Sequence, residues 1–294
     1  MSSEDSNTAA VASAQDISSF STCDLAPPHS SAPHAKTDPL ALTSSQAAQL
    51  PRPSDEWNKV QLHDAGVSIA LKALIDNNIP VMEYGVQIAF RWGWKSVLLT
   101  VEWAVPDDFL TFASQVLTKN GFLQVAMPKR SNVYLGDWDR LCHIHTRNME
   151  HESPIHLYPL SALHLTLQDT FEVPATFDPD LSILTPKPPR YMLSMIHLLI
   201  SPPTNQSMRH RVIMDLACFI QGWIFHGPPA EEQEMTVEEM EAGEREFLRK
   251  IPMAIEEVRS WDWGDGYDEE YVKVAESIIC DPRKMDTLTQ LSSV

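Results

Sequence analysis

A chain of 294 residues has room for one large domain or two small ones, and 43% hydrophobic with 21% charged residues is the balance of a globular protein. A net charge of -18 repels phosphate backbones and so argues against general nucleic-acid binding. The longest apolar runs, Val97–Val105 and Met192–Ile200, reach about half of the ~20 residues that a membrane span needs.

Residues 1–55 are rich in Ser, Ala, Pro and Thr, hold Phe20 as the only aromatic, and offer too little apolar surface to offset chain entropy, so a disordered tail is expected. Its first residues are acidic where a signal peptide is basic. Cys23, Cys142, Cys218 and Cys280 form no zinc-finger or redox spacing, which fits a reducing compartment. A cytoplasmic or nuclear location is expected.

Order is expected from Trp57 onward. A helical stripe runs through Val67, Ala70, Leu71, Leu74 and Ile75, and Pro80 stops it. Val81–Tyr84 reads as a short strand entering Gly85, Val86–Trp92 as a short helix, and Ser96–Val105 as a strong strand stopped by Pro106. Asp107 or Asp108 then caps a helix through Leu117, with Gly121 just beyond it. Phe122–Val125, Cys142–Thr146 and Ile155–Tyr158 are further strand candidates.

The second half changes character. Pro186, Pro188 and Pro189 read as a linker, followed by an apolar helix Arg190–Ile200. A helix over about 205–225 carries Ile213, Leu216, Ala217, Ile220, Trp223 and Ile224 on one face. Residues 231–294 hold 18 acidic against 7 basic residues, so -11 of the -18 lies there. Phe247, Leu248, Ile251, Ile255 and Val258 nevertheless recur at helical spacing, and Trp261, Trp263, Tyr267 and Tyr271 follow, which gives the acidic segment a face to dock.

Tyr84-Gly85-Val86, then thirteen residues, then Thr100-Val101-Glu102 resembles the nucleotidyltransferase signature: a hydrophobic residue, glycine, glycine or serine, a spacer, and Asp-hydrophobic-Asp/Glu. The wider run is similar to a group of uncharacterised fungal proteins with nucleotidyltransferase-like domains, through Val105-Pro106-Asp107, Gly121-Phe122 and Leu157-Tyr158-Pro159-Leu160-Ser161. The resemblance spans roughly 60–228. It implies an α+β fold, with a mixed sheet, flanking helices and a helical C-terminal part. The implied divisions are a domain over 56–185, a helical extension over 186–230 and the acidic helical segment 231–294.

Active members of that family transfer a nucleotidyl group using Mg2+ held by clustered carboxylates. Two lie at i and i+2 on one strand, and a third lies on a neighbouring strand. Three positions depart from this here: Val86 replaces the small residue, Thr100 the first carboxylate, and His156 occupies the place of the third. The resemblance therefore implies a degenerate centre around Gly85, Thr100, Glu102 and His156. The expectation is a non-catalytic binding or accessory protein without a metal cofactor, taking a nucleotide or another small molecule. A Mg2+-dependent transferase, or an unrelated pathway enzyme using the same cleft, is the alternative.

A second constellation is His143, His145 and His156 with Glu102. His-x-His on a strand puts both rings on one face, and the set could hold zinc if the strands are adjacent. Surface or hydrogen-bonded histidines are the ordinary reading of the same residues. Lys129-Arg130 and Arg209-His210-Arg211 are candidate phosphate contacts, with helix-surface charge as the ordinary role for the latter.

Overall fold

The computed structural model describes residues 64–92, 100–126, 142–147, 154–200, 206–225, 237–264 and 269–288. All belong to one compact unit, Arg52–Val294. The expected tail over 1–55, Trp57, Lys129-Arg130 and Tyr267 lie outside the described residues.

The first helix, α1 (Ala65–Asp76), starts where the Asp64 carboxylate accepts from the Gly66 and Val67 N–H groups at 2.8 and 3.1 Å. Those donors have no partner within the helix, which is why an aspartate caps it. Strand β1 (Met82–Glu83) turns through Gly85 into α2 (Val86–Arg91). Strand β2 (Val101–Val105) is buried along its whole length and ends at Pro106. Helix α3 (Asp107–Lys119) follows, with Asp107 and Asp108 in its first turn and Lys119 in its last, matching the helix dipole at both ends.

Strands β3 (Leu123–Val125), β4 (His143–Thr146) and β5 (Ile155–Pro159) come next, near their expected places. Two more, β6 (Thr170–Pro174) and β7 (Ser182–Pro186), pair as an antiparallel hairpin. The proline-rich segment is accordingly not a linker. Pro186 closes β7, and Pro188 begins α4 (Pro188–Ile200), where its missing N–H and fixed φ cost nothing.

The seven strands form one mixed sheet in the order β3-β4-β5-β2-β1-β7-β6. Strand β2 is parallel to β5 and antiparallel to β1, and β1 is parallel to β7. Residues directly opposite in register share a face. Val101, Trp103, Val105, Ile155 and Leu157 face the layer of α1 and α3 and bury Leu71, Leu74, Ala113 and Leu117 against it. Met82, Ala104, Tyr158 and Ile144 face the opposite layer. There they meet α4, α5 (Gln206–Phe219, continued by a π-helical turn at Ile220–Ile224), α6 (Val237–Ser260) and α7 (Glu269–Cys280). The fold is thus α+β, a mixed sheet with helices on both faces and a helical C-terminal part.

The acidic C-terminal helices are integral to that second layer. Ala254, Val258, Trp263, Ala275, Ile278 and Ile279 are buried in the same cluster as Tyr191, Met192 and Leu216. Arg190 donates to the Trp263 carbonyl at 2.6 Å, and Arg209 donates to the Leu199, Met285 and Leu288 carbonyls at 2.7 Å each. Leu248 departs from its expected place and is 56% exposed. The buried stripe of α6 runs through Phe247, Ile251, Ala254 and Val258, and one residue's rotation carries Leu248 off it.

Candidate functional site

The site sits where β1 ends and α2 begins. The Tyr84 N–H donates to the Glu102 carbonyl at 2.9 Å, and the Glu102 N–H donates to Gln87 Oε1 at 2.7 Å. Buried Gln87 thereby continues a hydrogen-bond ladder that β1 is too short to provide. Between them Gly85 adopts φ 61°, ψ -131°, a conformation nearly exclusive to glycine. A Cβ at this position would lie 1.9 Å from Glu102 Oε2. The glycine of the signature is needed here because the Glu102 carboxylate itself packs against the turn, with the Val86 N–H 3.4 Å from the same oxygen.

Glu102 is 1% exposed, so its charge must be balanced inside the protein. The balance comes from the layer of helices that includes α5. The Arg211 guanidinium, from α5, forms an ion pair and hydrogen bond with Glu102 Oε1. The Tyr158 hydroxyl donates to the same oxygen at 3.1 Å. Burial alone would raise the Glu102 pKa, but the Arg211 charge and hydrogen bond, with smaller help from His156 and Tyr158, hold it below the usual carboxylate range. The Arg211 pKa is correspondingly raised: burial opposes this, and Glu102 outweighs it. Glu102 is an anion and Arg211 a cation at any pH near neutral.

Asp215 lies one helical turn beyond Arg211, its Oδ2 3.5 Å from Arg211 Nε. Burial pushes its pKa up to about 6, with Arg211 pulling it down and Glu102 adding to the rise. Burial and the Asp215 charge together raise the neighbouring Cys218 thiol to about 12, so it is a poor nucleophile near neutrality.

His156 stands directly opposite Glu102 in the parallel β2–β5 pair and is 1% exposed. Its Nδ1 is 3.3 Å from the Tyr158 oxygen, whose proton is already donated to Glu102. The histidine N–H therefore donates to Tyr158, giving a chain His156 to Tyr158 to Glu102. Burial lowers the His156 pKa, Glu102 pulls it up, and Arg211 adds to the lowering, so the net shift is downward and the ring is neutral at pH 7.

Gly85, Glu102 and His156, three of the expected cleft residues, therefore converge. Thr100 is a half-buried bend residue immediately before β2; the strand was expected to begin earlier, and residues 93–99 lie outside the described set. The four-ligand alternative does not assemble. His143 and His145 are opposite Leu157 and Ile155, which places them on the α3 face, across the sheet from Glu102 and His156. His145 is instead a satisfied core histidine, its Nδ1 2.9 Å from the Phe122 carbonyl and its Nε2 3.0 Å from Ser114 Oγ. Among the described residues no group of three His, Cys, Asp or Glu could hold a metal ion.

Nor do the residues around Glu102 fit Mg2+. That ion requires several hard oxygen ligands in an octahedron, whereas the two carboxylates here face a guanidinium between them: Glu102 Oε1 is shared by Arg211 and the Tyr158 hydroxyl, and Asp215 Oδ2 lies 3.5 Å from Arg211 Nε. A fixed positive charge beside the carboxylate also opposes a second cation.

Sequence reasoning did not find Gln87, Tyr158 or Asp215, and it left Arg211 with a surface role as the ordinary one. One signal was available: Arg211 and Asp215 have the i, i+4 spacing of a helical ion pair, set among the apolar residues Val212, Ile213, Met214 and Leu216.

No protein-family model and no curated protein matches the chain. The solved structures similar to it include two nucleotidyltransferase-like or antibiotic-resistance proteins. One is the antibiotic-resistance factor ANT(2'')-Ia in solution, at 8% identity and a TM-score of 0.35, over 64% of this chain and 92% of that one. The other is an antigenic nucleotidyltransferase-like protein from Paracoccidioides brasiliensis, at 12% identity and a TM-score of 0.34, over 58% of this chain and 78% of that one.

Proposed function

We propose that this chain is a nucleotidyltransferase-like protein whose centre has become a structural ion pair, leaving a cleft used for binding and not for nucleotidyl transfer. The sequence pattern around Gly85 and Glu102 motivates the family. The observation that carries the non-catalytic reading is Arg211 seated on Glu102, the one carboxylate retained from the signature. Transfer of a nucleotidyl group needs a cation that can bridge carboxylate and phosphate and release both. A guanidinium fixed by a buried ion pair to Glu102 and 3.5 Å from Asp215 is already committed.

The expected ligand is a nucleotide or another small molecule, and the expected role is that of an accessory or binding protein. Calorimetric titration of the full chain with nucleoside triphosphates, with and without Mg2+ or Mn2+, tests this. Binding of similar affinity under both conditions, retained in Glu102→Gln, supports the reading. Binding that requires the metal and vanishes in Glu102→Gln overturns it. Native mass spectrometry of the purified protein identifies a retained ligand of another class.

A further inference from the structure

The disagreement between this centre and a metal site has a specific form. Glu102 and Asp215 both address one planar cation. Arg211 bonds Glu102 through its Nη2 edge, and its Nε lies 3.5 Å from Asp215. The Gly85 turn closes a third side: a Cβ built there would lie 3.0 Å from Arg211 Nη2. Tyrosines surround the carboxylate: the Tyr158 hydroxyl donates to Glu102, and Tyr84 packs edge-on to Tyr158 and Tyr191 at 6.4 and 5.9 Å between ring centres. The side chains of Arg211 and Asp215 are 12% and 17% exposed, so the pocket has a path to solvent.

We infer that Glu102, Asp215 and the Gly85 turn form a guanidinium-binding site, occupied by the tethered Arg211 as the resident cation. A guanidinium matches such a site for three reasons. Its donors are arranged in a plane that can meet two carboxylates along different edges. It tolerates desolvation better than an ammonium, because it is more weakly hydrated. It also suits surroundings rich in tyrosine better than a compact, strongly hydrated cation does. A small divalent ion would need both carboxylates to close in on a point and would lack the remaining oxygen ligands. This inference rests on reading the cleft as a non-catalytic centre. Its test reads ion occupancy, so it can fail while that reading stands.

The test is chemical rescue of the full chain carrying Arg211→Ala. Its melting temperature at pH 7 should fall by several degrees, and millimolar ethylguanidinium should restore a large part of the loss. Equal concentrations of ethylammonium, KCl or MnCl2 should not. Rescue should be absent in Glu102→Gln/Arg211→Ala, and the wild type should not respond. If ethylammonium or KCl rescues equally, or if rescue survives without Glu102, the site is not one for guanidinium; Mn2+ rescue would make it a metal site after all. Should Arg211→Ala fail to fold, the wild type still decides. Its Arg211 side-chain Nη–H resonances should exchange slowly with water and lose that protection in Glu102→Gln. Rapid exchange in the wild type would overturn the inference.

Discussion

Gly85→Ala isolates the feature on which the site turns, because its cost divides into two parts that can be separated. At φ 61°, ψ -131° an alanine is strained wherever it sits, by about 1–3 kcal/mol. The added Cβ would also lie 1.9 Å from Glu102 Oε2 and 2.7 Å from Glu102 Cδ, both closer than the 3.0 Å below which Cβ contacts essentially do not occur. The carboxylate cannot swing aside cheaply, because it is buried and held by Arg211 and Tyr158. Forcing a carbon into packed surroundings costs about 1–3 kcal/mol. Gly85→Ala should therefore lose about 2–6 kcal/mol in urea unfolding at pH 7, which at 2–4 °C per kcal/mol is roughly 4–24 °C in Tm. In a background of Glu102→Ala with Arg211→Met the steric part disappears, and Gly85→Ala should cost only the backbone strain. A loss below about 1 kcal/mol, or the same loss in both backgrounds, would show that Glu102 does not dictate the glycine.

Three further outcomes follow from the packing and charges. Asp215 has its folded pKa raised from 3.8 to about 6, so the folded state holds its proton more tightly. Its contribution is full below about pH 4 and is lost as pH rises through about 6, so stability should fall across that window by up to about 3 kcal/mol. Asp215→Asn should abolish that slope in pH-dependent urea melts, and an unchanged slope would contradict it. Glu102 acts in the opposite sense: its lowered pKa gives stability above about 4.5 that is lost as pH falls through its folded value. On the other face of the sheet, Glu83 is fully buried, bonds Arg91 at 2.6 Å and accepts from the Thr176 N–H at 2.7 Å. Glu83→Gln should cost about 1.5–3 kcal/mol in denaturation while leaving calorimetric ligand binding unchanged. Finally, truncation after Pro228 strips Val258, Trp263, Ala275 and Ile279 from the shared core and should yield insoluble or strongly destabilised protein. Limited proteolysis that leaves a stable core ending near 229 would contradict this.

The elements with strong periodicity or hard stops were legible in the sequence. β2 is a run of apolar and β-branched residues closed by Pro106, and α3 is bracketed by Asp107 and Gly121; each stands within a few residues of its expected end. β6 and β7 were not legible. Each is five residues long, each ends in proline, and the segment between them contains Asp178-Pro179-Asp180, so local chemistry reads as loop while the pairing between the two strands decides. The site divides in the same way. Gly85, Glu102 and His156 were found because a backbone turn and strand alternation fix them locally. Arg211 is 109 residues from Glu102 along the chain, and only the packing of α5 against the sheet brings the two together. The clustering of histidines at 143, 145 and 156 misled for a related reason: they are close in sequence, but strand register puts them on opposite faces.

The central claim, that Arg211 has retired Glu102 from metal chemistry, is tested most directly by nucleotide incorporation. The full chain is incubated with each labelled nucleoside triphosphate and Mg2+ or Mn2+, and transfer of label to protein, RNA or small acceptors is measured for the wild type and Glu102→Gln. The ion-pair centre predicts no metal-dependent incorporation in either. Incorporation that requires the metal in the wild type and disappears in Glu102→Gln would contradict it.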